Sequence, residues 1–186
     1  MFSCKLGDDA ELRLIEERHA EELNSLVVQN HAHIREWSSW LRNTHTMEDT
    51  RSFIRRNLKQ FAENQGFEIA IWHEGRMAGQ IGYNYLSWVD RKTELGYWLG
   101  AAFQGKGLVT RACRALVAHA FEEFNFNRVE IRCGTENRRS RAVPERLGFK
   151  QEGILKQAEW LHDHFIDLVV YRMLASEWRT APVQPG

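Results

Sequence analysis

Gly105, Lys106 and Gly107 stand where an apolar run from Trp98 gives way to an amphipathic stretch beginning at Leu108. Glycine has no Cβ, so the chain can turn sharply there and aim successive N–H groups outward at the start of a helix, whose positive dipole end favours an anion. Polyphosphate is the ligand such a turn suits. Gly100, Gly105 and Lys106 meet most of the GxxxxGK[ST] pattern, yet the position after the lysine is Gly107, which has no hydroxyl to ligate magnesium. The later strand-like run Arg128 to Cys133 ends without the aspartate that would hold that metal. GxGxxG is absent too, because Thr110 stands where its third glycine would be. The turn therefore points to a phosphate-bearing ligand outside the nucleotide-hydrolysing and dinucleotide folds.

The elements that must position this turn follow from periodicity. Glu11 to Glu16 alternates apolar and charged residues as a half-buried strand does, and is read as the edge opening of a sheet. Ala20 to Asn30 reads as a helix, and a second short helix carries Ile34, Trp37, Trp40 and Leu41. Thr46 with Asp49 marks the start of a longer one, Met47 to about Asn64. Phe67 to His73, Met77 to Leu86 and Thr93 to Leu99 form an antiparallel meander. After the glycine turn come a helix from Leu108 to about Phe124, the strand Arg128 to Cys133 and a helix starting near Arg138, a passage that predicts a parallel neighbour. Lys150 to Trp160 and His164 to Leu174 close the chain as a hairpin.

With 186 residues, 43% of them hydrophobic, residues 1–186 are read as one domain, ordered to about 178 with a tail at 179–186. The opening residues lack a basic segment followed by an apolar core, and no run approaches 18 apolar residues, so a cytoplasmic protein without a membrane span is expected. Twenty-five Lys and Arg balance 25 Asp and Glu, which gives no support for a nucleic-acid or membrane partner. Residues 104–146 nevertheless hold nine basic against five acidic residues. Cys4, Cys113 and Cys133 are odd in number and form no CxxC pair, so neither a disulfide framework nor a zinc site is expected. Cys113 and Cys133 read as small core residues rather than nucleophiles. His31 with His33 and His162 with His164 lack a third ligand at supporting spacing, and no metal is expected. Seven tryptophans and ten phenylalanines permit a homo-oligomer without requiring one.

The turn resembles the acetyl-CoA pyrophosphate loop of GNAT N-acetyltransferases, with Gln104, Gly107 and Val109 on the motif positions; Val109 departs from the strict glycine or alanine. A second block, Asn137, Ser140, Ala142, Val143 and Arg146 to Phe149, lies where that family places its other motif. ELGYWL at 94–99, NRVEIRC at 127–133 and LKQAEWL at 155–161 are similar to the RimJ/RimL group, which acetylates the N-termini of ribosomal proteins. The resemblance implies an α/β (α+β) fold, a mixed central sheet of about seven strands with splayed middle strands flanked by helices. It implies acetyl-CoA as cosubstrate, bound through the backbone of Tyr97, Trp98 and Leu99, through Gln104, Gly105, Lys106, Gly107, Leu108, Val109 and Thr110, and through Asn137 and Ser140. The acceptor is a protein N-terminus; the alternatives are a small amine such as a polyamine, aminoglycoside or amino acid, and, in another class, a non-catalytic coenzyme A sensor.

Acetyl transfer to an amine needs a held thioester, a neutral amine, a donor for the oxyanion and a proton for the leaving thiolate. An α-amino group titrates near 7.7 to 8.0, so a carboxylate suffices as base. By resemblance that base is Glu159, with Glu94 second; against this, Glu159 can be a solvent-facing strand residue and Glu94 the partner of an arginine. Ser140 either donates to the thiolate or caps its helix, and Asn137 caps, holds the pantetheine amide as its motif position implies, or does both. Trp37 and Trp40 are core residues or, as early helices do in this fold, border the acceptor.

Overall fold

The computed structural model describes residues 3–180. Among them eight strands form one sheet in the order β1-β2-β3-β4-β5-β6-β8-β7. The strands are β1 Ser3–Lys5, β2 Ala10–Leu14, β3 Phe67–His73, β4 Arg76–Ser87, β5 Lys92–Leu99, β6 Arg128–Gly134, β7 Lys150–Leu161 and β8 His164–Leu174. Neighbours are antiparallel except β5 and β6. This is the expected mixed α/β sheet with one strand more than the sequence suggested. The extra strand is β1, three exposed residues paired with β2, so the run at 10–14 is not the edge. Three residues are too few to show a period.

The helices are α1 Ala20–Gln29, α2 His31–Arg35, α3 Met47–Ala62, α4 Leu108–Glu122, α5 Arg138–Arg146 and α6 Ala175–Thr180. Thr46 and Asp49 close a reciprocal capping box at the start of α3, as the sequence predicts. The second helix ends earlier than its apolar spacing suggests, and Trp37, Trp40 and Leu41 lie beyond it. Past Arg35 the chain tightens to bonds three residues back, from the Trp37 N–H to the Ile34 carbonyl at 3.2 Å and from the Ser38 N–H to the Arg35 carbonyl at 3.5 Å, and His162 adds a bond to that carbonyl at 2.8 Å. α6 carries the chain through Thr180, and most of the tail expected at 179–186, residues 181–186, lies outside the described residues. No helix among the described residues is long and apolar enough to cross a membrane.

Adjacent strand residues face opposite sides of the sheet. Tyr83 of β4 points to α4, where its hydroxyl donates to the Leu116 carbonyl at 2.6 Å. Gly82 therefore faces the other side, opposite Glu68 of β3 and Gly96 of β5. A Cβ on Gly82 would meet the Phe67 carbonyl and come within 2.6 Å of Glu68 Cα. Overpacking a rigid backbone contact costs about 1–3 kcal/mol. Gly82→Ala should lower stability by about that amount, read as a lower denaturant midpoint at unchanged slope.

Candidate active site

The parallel ladder between β5 and β6 runs only from Lys92 with Arg128 to Leu95 with Ile131. Both strands continue, β5 to Leu99 and β6 to Gly134, while β5 keeps its pairing to β4 as far as Leu99. The two middle strands thus part after Leu95, and one backbone edge of Gly96 to Leu99 is left without a strand partner. A cleft of about 1520 Å³ opens at this fork and is lined from both faces of the sheet.

On one face lie α4 and α5. Gly107 holds the N-cap position of α4 with φ 70°, a left-handed conformation glycine adopts without strain, and no side chain caps the helix. Its first-turn N–H groups are free to meet an anion, and Gly105, Gly107, Leu108 and Val109 line the cleft there. Gln104 is held between Arg139, which donates to it at 2.9 Å, and His33 at 2.6 Å. Arg138, Arg139 and Arg146 add positive charge to this end. Lys106 and Thr110 do not line the cleft, although the motif spans them. Lys106 is exposed and Thr110 sits on the flank of the first helical turn, since four successive residues of a turn cannot all face one way.

Asn137 caps α5 by accepting from the Ser140 N–H at 3.1 Å. The Ser140 hydroxyl is therefore not the cap; it lies 3.2 Å from Cys133 Sγ and 3.3 Å from the Tyr97 hydroxyl. Tyr97 in turn donates to the Ser140 carbonyl at 2.9 Å. Burial pushes both the Cys133 thiol and the Tyr97 phenol above their usual ranges. Cys133 is a wall of the cleft as well as a core residue, a placement its strand-like surroundings in sequence did not reveal.

The other face is roofed by residues 36–40 and bounded by β7. Trp37 packs on Gly134, and Trp40 stands 6.5 Å, centroid to centroid, from Trp98, whose indole N–H donates to Gln80 at 2.8 Å. Glu159 lines the cleft opposite Ile166, after a bulge in β7: between Leu155 with Leu168 and Glu159 with Ile166 the strand advances four residues against two of β8, which sets how far along β8 the carboxylate stands. Asp167 braces the bulge through the Gln157 N–H and Lys156, both at 2.8 Å. Ser39 donates to Glu159 at 2.7 Å, tying roof to strand. Glu94 is positioned by a second irregularity, the extra residue Asn84 in β4, which donates to it at 2.8 Å. Arg132 pairs with Glu94 at 3.1 Å, the structural alternative the sequence left open. Burial raises the Glu94 pKa, against the Asn84 hydrogen bond and Arg132, which lower it. Glu68, Ser39 and Asn84 carry no motif, and neither they nor Arg132, although it lies within NRVEIRC, were legible as cleft residues. Among the described residues no group of three or more His, Cys, Asp or Glu side chains could hold a metal ion.

The comparisons agree with this geometry. The model of the GNAT acetyltransferase domain matches residues 10–150. The putative ribosomal N-acetyltransferase YdaF of Bacillus subtilis (strain 168) is 38% identical over 96% of this chain and 98% of its own. The ribosomal-protein-serine acetyltransferase of Escherichia coli (strain K12) is 30% identical over 91% and 94%. The structure of RimL, a ribosomal L7/L12 α-N-protein acetyltransferase in complex with coenzyme A, superposes with a TM-score of 0.90 at 28% identity, covering 95% of this chain and 99% of that one. A forked sheet with an uncapped helix beside it, and matches over nearly the whole length, together place this chain in the GNAT acetyltransferase family.

Proposed function

We propose that this chain transfers the acetyl group of acetyl-CoA directly to the N-terminal α-amine of a protein, with ribosomal proteins as the acceptor class and the cytoplasm as the place. The observation that carries the reading is the fork. The open edge of Tyr97, Trp98 and Leu99 lies beside the uncapped start of α4 and within one cleft with Ser140 and Glu159. The extended pantetheine arm suits the open edge as an added strand, and the pyrophosphate suits the N–H groups at Gly105 to Val109. The coenzyme A bound by RimL and the ribosomal acceptors named for it and for the E. coli relative support both halves of the reading.

The chain's residues divide the reaction between them. A backbone N–H on the open edge donates to the thioester oxygen as charge gathers there. Glu159, placed by the β7 bulge and held by Ser39, takes a proton from the incoming ammonium. Glu94 has its charge engaged by Arg132 and supports the floor rather than serving as base. The amine attacks the acetyl carbon, the oxyanion collapses, and the C–S electron pair leaves with sulfur. The Ser140 hydroxyl, free of capping duty, relays to that thiolate the second proton, which the nitrogen must shed once it has bonded to the acetyl carbon, and the first goes from Glu159 to solvent. Trp37 and Trp40 form the wall along which the acceptor enters, and Asn137 both caps α5 and holds the coenzyme side of the cleft.

Thiol release from acetyl-CoA, followed on ribosomal N-terminal peptides and on a panel of small amines, tests this directly. Glu159→Gln should lower turnover on the peptides by about 10²-fold or more, and Ser140→Ala should lower it clearly, with coenzyme binding retained in both. Turnover confined to small amines would move the acceptor to that class, and tight coenzyme binding without turnover on any amine would indicate a sensor. Gly107→Asp puts a side chain at φ 70° and a negative charge at the helix start, and should weaken coenzyme A binding by at least about tenfold. Lys106→Ala, outside the cleft, should change that affinity far less when both are titrated calorimetrically.

A further inference from the structure

Glu159 stands on a short stem. Three pairs, Leu161 with His164, Trp160 with Phe165 and Glu159 with Ile166, close the hairpin of β7 and β8, and before them Lys156, Gln157 and Ala158 have no partner in the ladder. A bulge bends its strand, so the direction in which the stem leaves the sheet depends on how these residues are held. β7 is the outer strand, and its residues from Lys150 to Ala158 are exposed on both faces. Packing therefore does little to fix the bulge. Gln157 nevertheless takes φ 49°, a left-handed conformation uncommon for a residue with a Cβ.

Asp167 of β8 supplies the hold. One of its carboxylate oxygens accepts from the Gln157 N–H and the other from Lys156 Nζ, both at 2.8 Å. The Lys156 bond, and after it the Gln157 N–H, keep this carboxyl below its usual range, so both oxygens remain acceptors at neutral pH. The main chain of the same residue is tied in the other direction: its carbonyl accepts from the Thr135 N–H at 3.0 Å, just beyond the end of β6. Thr135 lies two residues before Asn137, whose cap fixes the Ser140 N–H, and Gln157 lies two residues before Glu159. One residue is thus bonded both to the segment that carries Glu159 and to the segment that leads to Ser140.

We propose that Asp167 is a positioning residue for acetyl transfer: its bond to the Gln157 N–H fixes the bulge, and through the bulge the place of the Glu159 carboxylate in the cleft. The inference rests on the acetyl-transfer reading above, with Glu159 as its base. Asp167 does not itself line the cleft, so it acts through Glu159 alone. Ser39 holds the stem from the roof by its bond to Glu159, and His162 holds it from the end of α2 by its bond to the Arg35 carbonyl. Asp167 holds it from the side of the sheet. Because the Asp167 carbonyl survives any change of side chain and keeps its bond to Thr135, loss of the carboxylate should disturb the base and leave the coenzyme half of the cleft as it is.

The test follows a peptide that the parent acetylates, at saturating acetyl-CoA, in Asp167→Ala, Asp167→Asn, Lys156→Ala and Glu159→Gln, with Asp167→Ala also placed on Glu159→Gln. At pH 6.5 Asp167→Ala should lose about tenfold or more of kcat while coenzyme A affinity stays parental, as expected of a displaced catalytic group. Asp167→Asn keeps an oxygen for the Gln157 N–H and should stay within about threefold of the parent, as should Lys156→Ala, which removes only the ion pair. In the Glu159→Gln background Asp167→Ala should lose little more, because residues that act as one unit are not additive. Both single defects should shrink at pH 9, where an α-amine that titrates near 7.7 to 8.0 enters neutral and leaves the base no proton to take. Gln157→Pro removes the same bond from the donor's side and cannot adopt φ 49°, yet an edge strand tolerates proline; it should repeat the loss, and it carries the test if Asp167→Ala does not fold. Parental kcat in Asp167→Ala, an equal loss in Asp167→Asn, or the same factor lost again in the Glu159→Gln background would overturn the assignment. Full turnover in Glu159→Gln would remove the base, and a parent that binds coenzyme A and acetylates no amine would remove the acetyl-transfer reading; either result takes this inference with it and is seen before Asp167 is altered.

Discussion

Everything in the site depends on β5 and β6 ceasing to pair after Leu95 and Ile131. Parallel strands need a crossover, and α4 supplies it, so the chain leaves β5 at the fork and returns to β6 from the same helix. The start of α4 is thereby fixed at the end of the sheet where the backbone edge is open. An unpaired edge buried in a domain would strand polar groups, and here the edge faces a cleft instead. The opening joins the two faces of the sheet, which lets a ligand held against α4 and α5 meet one that enters beneath the roof at 36–40.

The two faces differ in charge as well as in shape. Arg138, Arg139 and Arg146 with the uncapped helix start lie on the side of α4 and α5, whereas Glu36, Glu68, Glu94 and Glu159 lie on the other. A chain of zero net charge can thus present a polyphosphate with a positive surface and an ammonium with a negative one. The burial that raises Glu94 and Glu68 has the same source, since both stand on a sheet face covered by helix and roof. Arg132 and Asn84 return Glu94 towards the charged form, and Glu68 has only the more distant Arg56.

Much of this was legible in the residues, and the reason is local. The glycine turn, the helix behind it and the capping box at Thr46 are written in neighbouring positions, so backbone preference alone defines them. The meander from Phe67 to Leu99 is written as strand-like runs separated by short polar turns. What escaped depends on contacts between distant segments. The α2 helix stops at Arg35, and His162, 127 residues away, ties its carbonyl to the turn between β7 and β8. Both Asn137 and Ser140 could cap α5 on sequence alone, and the bond from the Ser140 N–H to Asn137 shows which does, leaving the Ser140 hydroxyl free of that duty. Glu68 lies in a strand that reads as core, and only the register with Gly82 shows that its side chain lies over a glycine at the cleft.

The bulge in β7 separates two things that a shared cleft would seem to bind together. Its two surplus residues keep the alternation of the strand and set Glu159 opposite Ile166, and they belong to a hairpin, β7 with β8, that supplies nothing to the glycine turn or to the helix start behind it. A slip of β7 against β8 by a single residue would turn the carboxylate to the opposite face while leaving β5, α4 and α5 as they are. Acceptor chemistry in this chain is therefore encoded in segments that insertions and deletions can rewrite, whereas the coenzyme half is carried by a crossover unit that admits no such change without losing the fold.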